Sequence, residues 1–341
     1  MFLGQSCGFE SDAVKPAKVT KSFSTENSQV QPVVHVSRHA PLTENEDQTE
    51  RLLQRYRSRL DLVKSACNRY GPKSRRPRDV AQDPSQFLIV DEKYKVIYCN
   101  VPKVGCSSWK SLFLTLAGYD MLHNQTLSHL GVSKSGKMLL NYVHKYTNVT
   151  HRRYVLQHYK KFLFVRHPFT RLLSAFRNKL SPESRRALVG RDDMYTAVAL
   201  QITRDLYGDA RATEMSRNMS RYNMTLADFV HYLVQAESRD YDRHWMRVHD
   251  LCLPCDIDYD FIGKYEMLES DSTYILKALG ISIPLPRPGT RLSTNSSVPD
   301  IVKAYFDTVS TTDMKRLYWD KYFMDFKLFG YSAEMFSKVN T

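Results

Sequence analysis

Nowhere in this chain do about 18 apolar residues follow one another, the length that a membrane-crossing helix needs. The first residues have no basic flank leading into an apolar stretch, so no secretory signal is visible. Two expectations follow: a cytosolic protein, or a sequence that begins after its anchor. The nucleoside-triphosphatase loop GxxxxGK[ST] is also missing. So is an acidic residue at a strand end where a phosphotransferase would hold Mg²⁺. There are no internal repeats. A single CxxC, Cys252-Leu-Pro-Cys255, has no second CxxC or CxxH at zinc-site spacing. It therefore reads as structural, bridging to other cysteines, and no metal site is expected.

What the chain does contain excludes disorder throughout: 42% of its residues are hydrophobic and 12% aromatic. It has 49 Lys and Arg against 36 Asp and Glu. Residues 1–50 hold four basic and seven acidic side chains, a net of −3, so the remaining 291 residues carry +16. A folded region this basic meets a nucleotide, a nucleic acid, an acidic glycan or a membrane surface. Six cysteines are an even but sparse count. Five glycosylation sequons, at Asn124, Asn148, Asn218, Asn223 and Asn295, tilt the reading towards the secretory lumen.

Residues 1–48 are rich in Ser, Thr, Gln, Glu and Lys with little periodicity, and read as a flexible stem or tail. Residues 49–341 read as one catalytic domain. Apolar residues at helical spacing predict a helix over 50–70, stopped by Gly71-Pro72. Runs 87–90 and 94–101 are β-rich around a turn at 91–93. The second leads straight into Pro102-Lys-Val-Gly-Cys-Ser-Ser108 and then a helix over 109–116 closed by Gly118. A second strand–loop–helix unit lies at 161–165, 166–169 and 170–180. Two such units predict an α/β fold, a three-layer sandwich with a mainly parallel sheet and sites at the strand C-termini. Thr225 reads as an N-cap with Asp228 in the first turn, 261–265 as a buried strand, and 269–279 as a helix ended by Gly280. The aromatic-rich stretch 301–329 reads as helix.

The chemistry lies in the two loops. A strand-to-helix loop is an anion cradle, because free N–H groups and the helix dipole point at the ligand. Residues Pro102, Lys103, Val104, Gly105, Cys106, Ser107 and Ser108 add a cation, a Gly allowing close backbone approach, and two hydroxyls. A Lys ahead of the Gly suits a phosphosulfate, since its ammonium can sit beside the bridging oxygen where charge grows. The plain alternative is an ordinary turn with an exposed Lys. In the second loop, residues 151–180 hold eight Lys and Arg and no acidic residue. Arg166 ends a run of apolar residues and Ser174 follows on the helix, a pair that can bind a terminal phosphate. The alternative is a solvated basic helix face. Yet a charge at the end of a buried-looking strand is an odd place for an idle one.

At these residues the chain resembles the Golgi carbohydrate sulfotransferases of the HNK-1, chondroitin, dermatan and N-acetylgalactosamine 4-sulfotransferase group, over residues 54–331. VPKVGCSSWK (101–110) resembles that family's 5′-phosphosulfate motif, and FVRHPFTRLLSAFRNK (164–179) its 3′-phosphate motif. HW at 244–245 and LCLPCDIDYDFIGKYEMLESDS (251–272) resemble a further block. The resemblance implies a sulfotransferase-like, P-loop-related fold and transfer from 3′-phosphoadenylyl sulfate to a sugar hydroxyl, without a metal. Lys103 would contact the phosphosulfate, residues 102–108 would line its loop, and Arg166 and Ser174 would hold the 3′-phosphate. A His suits the base, and His129 is favoured because relatives also place a His in that segment; His244 is the second choice. Many relatives have Glu where this chain has His167, which leaves the charge beside the phosphate site open. The implied acceptor is an anionic glycan, a glycosaminoglycan or an N-glycan, and not nucleic acid. The implied location is the Golgi lumen, with membrane attachment only through an anchor not seen in this sequence, which reads as a truncated or alternative product. A nucleotide-dependent phosphotransferase and a non-catalytic glycan-binding module are the competing readings.

Overall fold

Strand β1 (Leu88–Asp91) and strand β2 (Val96–Cys99) form an antiparallel hairpin. Asp91 shapes its turn, accepting the Tyr94 N–H at 2.8 Å. The structure is a computed structural model that describes residues 44–71, 78–119, 129–186, 194–286 and 295–340. Most of the expected stem, and Cys7 with it, lies outside the described residues. Ahead of the hairpin runs helix α1 (Glu44–Tyr70). After it come α2 (Cys106–Leu116), α3 (His129–Leu139), the short strand β3 (Asn141–Tyr142) and α4 (Val149–His158). Next are β4 (Lys160–Val165) and α5 (Pro168–Lys179), which has Pro at its first position, where a missing N–H costs nothing.

Beyond α5 the chain is mostly helical: α6 (Pro182–Arg186), α7 (Met194–Tyr207), α8 (Asp209–Arg217), α9 (Leu226–Gln235) and α10 (Val248–Cys252). Thr225 and Asp228 form a reciprocal capping box at the start of α9, as their spacing implies. Strand β5 (Phe261–Lys264) and α11 (Leu268–Ala278) follow. The stretch read as one helix over 301–329 is divided into α12 (Pro299–Phe306), α13 (Thr311–Arg316), a π-helical segment Leu317–Tyr322, and α14 (Phe323–Phe329). The break has a local cause. Ser310 Oγ accepts the Asp313 N–H at 3.0 Å and starts α13 afresh.

The sheet order is β3-β1-β2-β4-β5. Pairings β2–β4 and β4–β5 are parallel, and β1–β2 and β1–β3 antiparallel. The fold is α/β. Its sheet is mixed, and the parallel part is the three strands that carry the loops of interest. Every residue of β1 and β2, and all but the first of β4, is buried, so both sheet faces are covered. On one face Tyr98, Phe162 and Phe164 pack against Trp109 of α2. On the other, Cys99 is joined to Cys252 at the end of α10. The second bridge, Cys67–Cys255, ties α1 to the same CxxC turn, so the CxxC is structural. Gly263 is dictated by packing: a Cβ there would lie 2.4 Å from the Phe164 ring. A second core, with no strand residue in it, gathers residues of α5, α7, α9, the C-terminal helices and the turns between them. Among the described residues, no helix is long and apolar enough to cross a membrane.

Candidate active site

Strand β2 ends at Cys99 and hands the chain to a strained loop. Lys103 and Gly105 both take left-handed backbone conformations, φ 73° and 84°. Only Gly adopts that region freely. The N-terminus of α2 begins on Gly105 with no side-chain cap, which leaves its first N–H groups pointing into the loop. A Cβ on Gly105 would come within 3.3 Å of the Leu268 side chain, so the loop is also narrow there. Pro102 and Val104 are buried and contribute backbone only, whereas Lys103, Gly105, Cys106 and Ser107 are half-buried and Ser108 is buried. Cys106 is a free thiol.

The Lys103 ammonium is held down to a pKa of about 7. Burial is the main cause; Cys106 opposes it, and the charges of Lys179, Arg166 and Arg171 add to it. Arg166 stands at the end of β4, only 4% exposed. Its Nε donates to Thr170 Oγ1 at 3.2 Å, Nη1 to the Lys103 carbonyl at 3.2 Å, and Nη2 to Ser297 Oγ at 2.7 Å. The guanidinium lies over the Tyr265 ring at 4.5 Å. Among the described residues neither Lys103 nor Arg166 forms an ion pair with a carboxylate. Two strand-end loops thus meet through one Arg and present cations that no carboxylate ion-pairs among the described residues, although Glu266 acts on Arg166 from nearby. That is the chemistry of an anion site.

Arg171, one turn into α5, braces the arrangement from below. It is 1% exposed, and its guanidinium donates to the carbonyls of Pro102 at 3.0 Å, Met246 at 2.7 Å and Arg243 at 3.1 Å. Ser174 lies buried on the same helix. The reading of residues 151–180 as a solvated basic face is overturned for Arg166 and Arg171, which are both buried. His167 caps α5 through its backbone. Its N–H donates to Glu266 Oε1 at 2.8 Å, and its ring sits among Phe169, Phe326, Tyr331 and Phe336. Burial pushes its pKa down, so the ring is neutral, and Nε2 donates to the Ser332 carbonyl at 3.0 Å. The acid beside the loop is therefore Glu266.

Two histidines come under the heading of base. His129 is the first residue of α3, which packs against α2, but its side chain lies outside the described residues. His244 sits in the segment that Arg171 ties to the first loop. Its Nδ1 lies 2.7 Å from Asp242 Oδ1 and 2.8 Å from the Tyr195 hydroxyl. A carboxylate can only accept, so Nδ1 carries the proton and Nε2 the lone pair. Burial holds the His244 pKa well below its ordinary value, with Asp242 opposing, and Lys179 adds to the lowering. The same Lys179 acts on Lys103.

A family model described as a sulfotransferase family matches residues 86–332, a span holding both loops, Ser174 and His244. The chain belongs to that family. Rattus norvegicus carbohydrate sulfotransferase 11 is 32% identical over 297 residues, covering 84% of this chain and 78% of that protein. Danio rerio carbohydrate sulfotransferase 14 is 35% identical over 246 residues, 72% of this chain and 62% of the relative. Mus musculus carbohydrate sulfotransferase 8 is 34% identical over 295 residues, 82% and 64%. No solved structure matches the chain.

Sequence reasoning about this sulfotransferase missed three contributors. Arg171 was one basic residue among eight, and nothing local marks it as buried, because its three partners are remote carbonyls. Ser297 carries the sequon reading of Asn295, while its contact with Arg166 crosses 131 positions. Asp242, two residues before His244, could have been found by asking what would orient a candidate base.

Proposed function

We propose that this sulfotransferase moves the sulfuryl group of 3′-phosphoadenylyl sulfate to a hydroxyl of an anionic glycan, of chondroitin, dermatan or N-acetylgalactosamine type, in the Golgi lumen. One observation carries the donor assignment: Lys103 and Arg166, buried or half-buried and without a carboxylate ion pair among the described residues, are joined across the two strand-end loops. Such a pair fits an anion with two charged ends. Lys103, with the open N–H groups of α2, would meet the phosphosulfate, and Arg166 with Ser174 the 3′-phosphate. The relatives' printed names support a carbohydrate acceptor, and the two disulfides support an oxidising compartment.

In transfer, Lys103 holds charge on the departing bridging oxygen, and its low pKa means that anion binding recharges it. The donor supplies an activated sulfuryl group; the chain supplies position and a base. Two histidines compete for that role. His129 is one. A specific observation favours His244: the Asp242 contact fixes its tautomer with Nε2 as acceptor. A neutral His can take the acceptor hydroxyl's proton as the sulfuryl group arrives.

The test is incubation with labelled 3′-phosphoadenylyl sulfate and a panel of chondroitin, desulfated dermatan, heparan and N-glycans. Label should enter the chondroitin or dermatan arm. Glycan binding with no transfer to any arm would leave the non-catalytic module. Titration of adenosine 3′,5′-bisphosphate against adenosine 5′-phosphate checks the phosphate site. Arg166→Ala should weaken the bisphosphate selectively, by tenfold to several hundredfold, roughly. Equal weakening of both would make Arg166 a general electrostatic residue. Loss of the acidic limb of the pH–rate profile in His129→Ala but not His244→Ala would return the base to α3.

A further inference from the structure

On the surface formed by the last turn of α1 and the π-helical segment, three aromatic rings lie together with cations on them. A π-helical turn is rare and often functional. Here Leu317, Tyr318 and Tyr322 turn inward, and Trp319 is left 57% exposed. The other two tryptophans, Trp109 and Trp245, are buried. Trp319 stacks on Phe323 with ring centres 5.2 Å apart and planes 23° apart. Phe323 in turn meets Tyr70 edge-on at 5.2 Å, and Tyr70, the last residue of α1, is 37% exposed. The Arg69 guanidinium lies 5.3 Å over the Tyr70 ring, and the Lys327 ammonium 5.3 Å over Phe323.

Nearby acids are committed elsewhere. Asp320 pairs with Arg316 at 3.7 Å. Asp325 is buried, accepting the N–H groups of Val248 and His249. Among the described residues, neither Arg69 nor Lys327 pairs with a carboxylate. The patch is therefore aromatic and positive, built from two distant parts of the chain. An exposed Trp with a stacked neighbour offers a flat apolar face, and the flanking cations offer charge-assisted bonds. A pyranose ring fits the first and its carboxylate or sulfate the second.

We propose that Tyr70, Trp319 and Phe323, with Arg69 and Lys327, form a second binding site for an acidic polysaccharide chain, separate from the transfer loops. The proposal rests on the reading of the acceptor as an anionic glycan. It adds that a polymer is gripped at two places. Helix α14 leads from this patch towards Tyr331, whose hydroxyl donates to Glu266 Oε2 beside the His167 loop. Seven helical residues span roughly 10 Å, so a polymer of modest length can reach along that path. Multipoint contact raises affinity for long chains without touching the chemistry.

The experiment uses the whole chain and chondroitin sulfate polymer as probe, with Trp319→Ala, Trp319→Tyr and Arg69→Ser/Lys327→Ser. Because the other two tryptophans are buried, polymer added to nucleotide-free wild type should quench Trp319 emission. Trp319→Ala should weaken polymer binding about tenfold, and Trp319→Tyr should restore most of it. With donor present, KM for polymer should rise by a similar factor in Trp319→Ala, while kcat and the KM for a short acceptor stay unchanged. Equal polymer binding by wild type and Trp319→Ala overturns the site. So does a Trp319→Ala effect seen instead in self-association, in binding of anionic vesicles or in binding of single-stranded RNA. Absence of transfer to every acceptor would sink the catalytic reading and leave the quenching result standing on its own.

Discussion

The loops after the neighbouring parallel strands β2 and β4 hold their cations by opposite means. In the first, the backbone bears the strain: Lys103 and Gly105 are left-handed, and the Lys103 ammonium makes no hydrogen bond among the described residues. In the second, the backbone runs straight into α5, and the guanidinium of Arg166 is fixed by Thr170, Lys103 and Ser297. Arg171 then couples the two by bonding the carbonyl of Pro102 from α5. A flexible ammonium on a strained turn can follow charge as it moves during reaction. A clamped guanidinium can only recognise a fixed group. The contrast suits the two ends of the donor proposed above, one reacting and one inert.

Removing the coupling should have the largest effect. Arg171→Met deletes three charge-assisted bonds and orphans buried carbonyls, so denaturant unfolding should show a loss of at least about 3 kcal/mol together with lost transfer. If stability holds, the loops are not one unit. Next comes Lys103→Ala, which should cost transfer at least about 2 kcal/mol while leaving circular dichroism and Tm near wild type. Activity within about threefold of wild type would sink its assigned role. Lys103→Gly sharpens the contrast, because it should lose transfer equally yet gain up to about 1 kcal/mol of stability by relieving the left-handed Cβ.

A smaller effect is set by pH. Lys103 titrates at about 7 when the protein is free, and a bound dianion favours its charged form. Calorimetric affinity for adenosine 3′,5′-bisphosphate should therefore fall towards tenfold per unit between about pH 7 and 9. The sign for folding is the reverse. The folded Lys binds fewer protons than the unfolded one between about 7 and its ordinary value of 10.5, so its penalty is full below 7 and fades as pH rises. Lys103→Met should remove both trends. The smallest expected effect is none: EDTA should leave the rate unchanged, and loss restored by Mg²⁺ would favour a phosphotransferase.

Local chemistry was legible in the sequence wherever it is self-contained. The strand–loop–helix units, the Thr225 cap and the CxxC reading all depend on residues within a few positions. Long-range choices were not legible. The spacing over 301–329 is helical, and only Ser310 and the π-helical turn show where it divides. Arg171 and Arg177 look alike in sequence, yet Arg171 is buried by carbonyls some 70 positions away. The antiparallel edge of the sheet depends on β3, a two-residue strand too short to carry a pattern.

The disulfides impose an order on synthesis. Cys252 and Cys255 are made late, and their partners Cys99 and Cys67 early, 153 and 188 positions before. Neither bridge can close until the CxxC turn has left the ribosome. Until then β2, which carries Lys103 on its far end, has its cysteine as an open thiol. A nascent chain stopped before residue 252 already contains both cation loops, Arg166 and Ser174. It has neither clamp, and it lacks the carbonyls of Arg243 and Met246 if it stops before them. The residues proposed to meet the donor are thus made long before Tyr265 and Ser297, which hold Arg166 in place, have followed them.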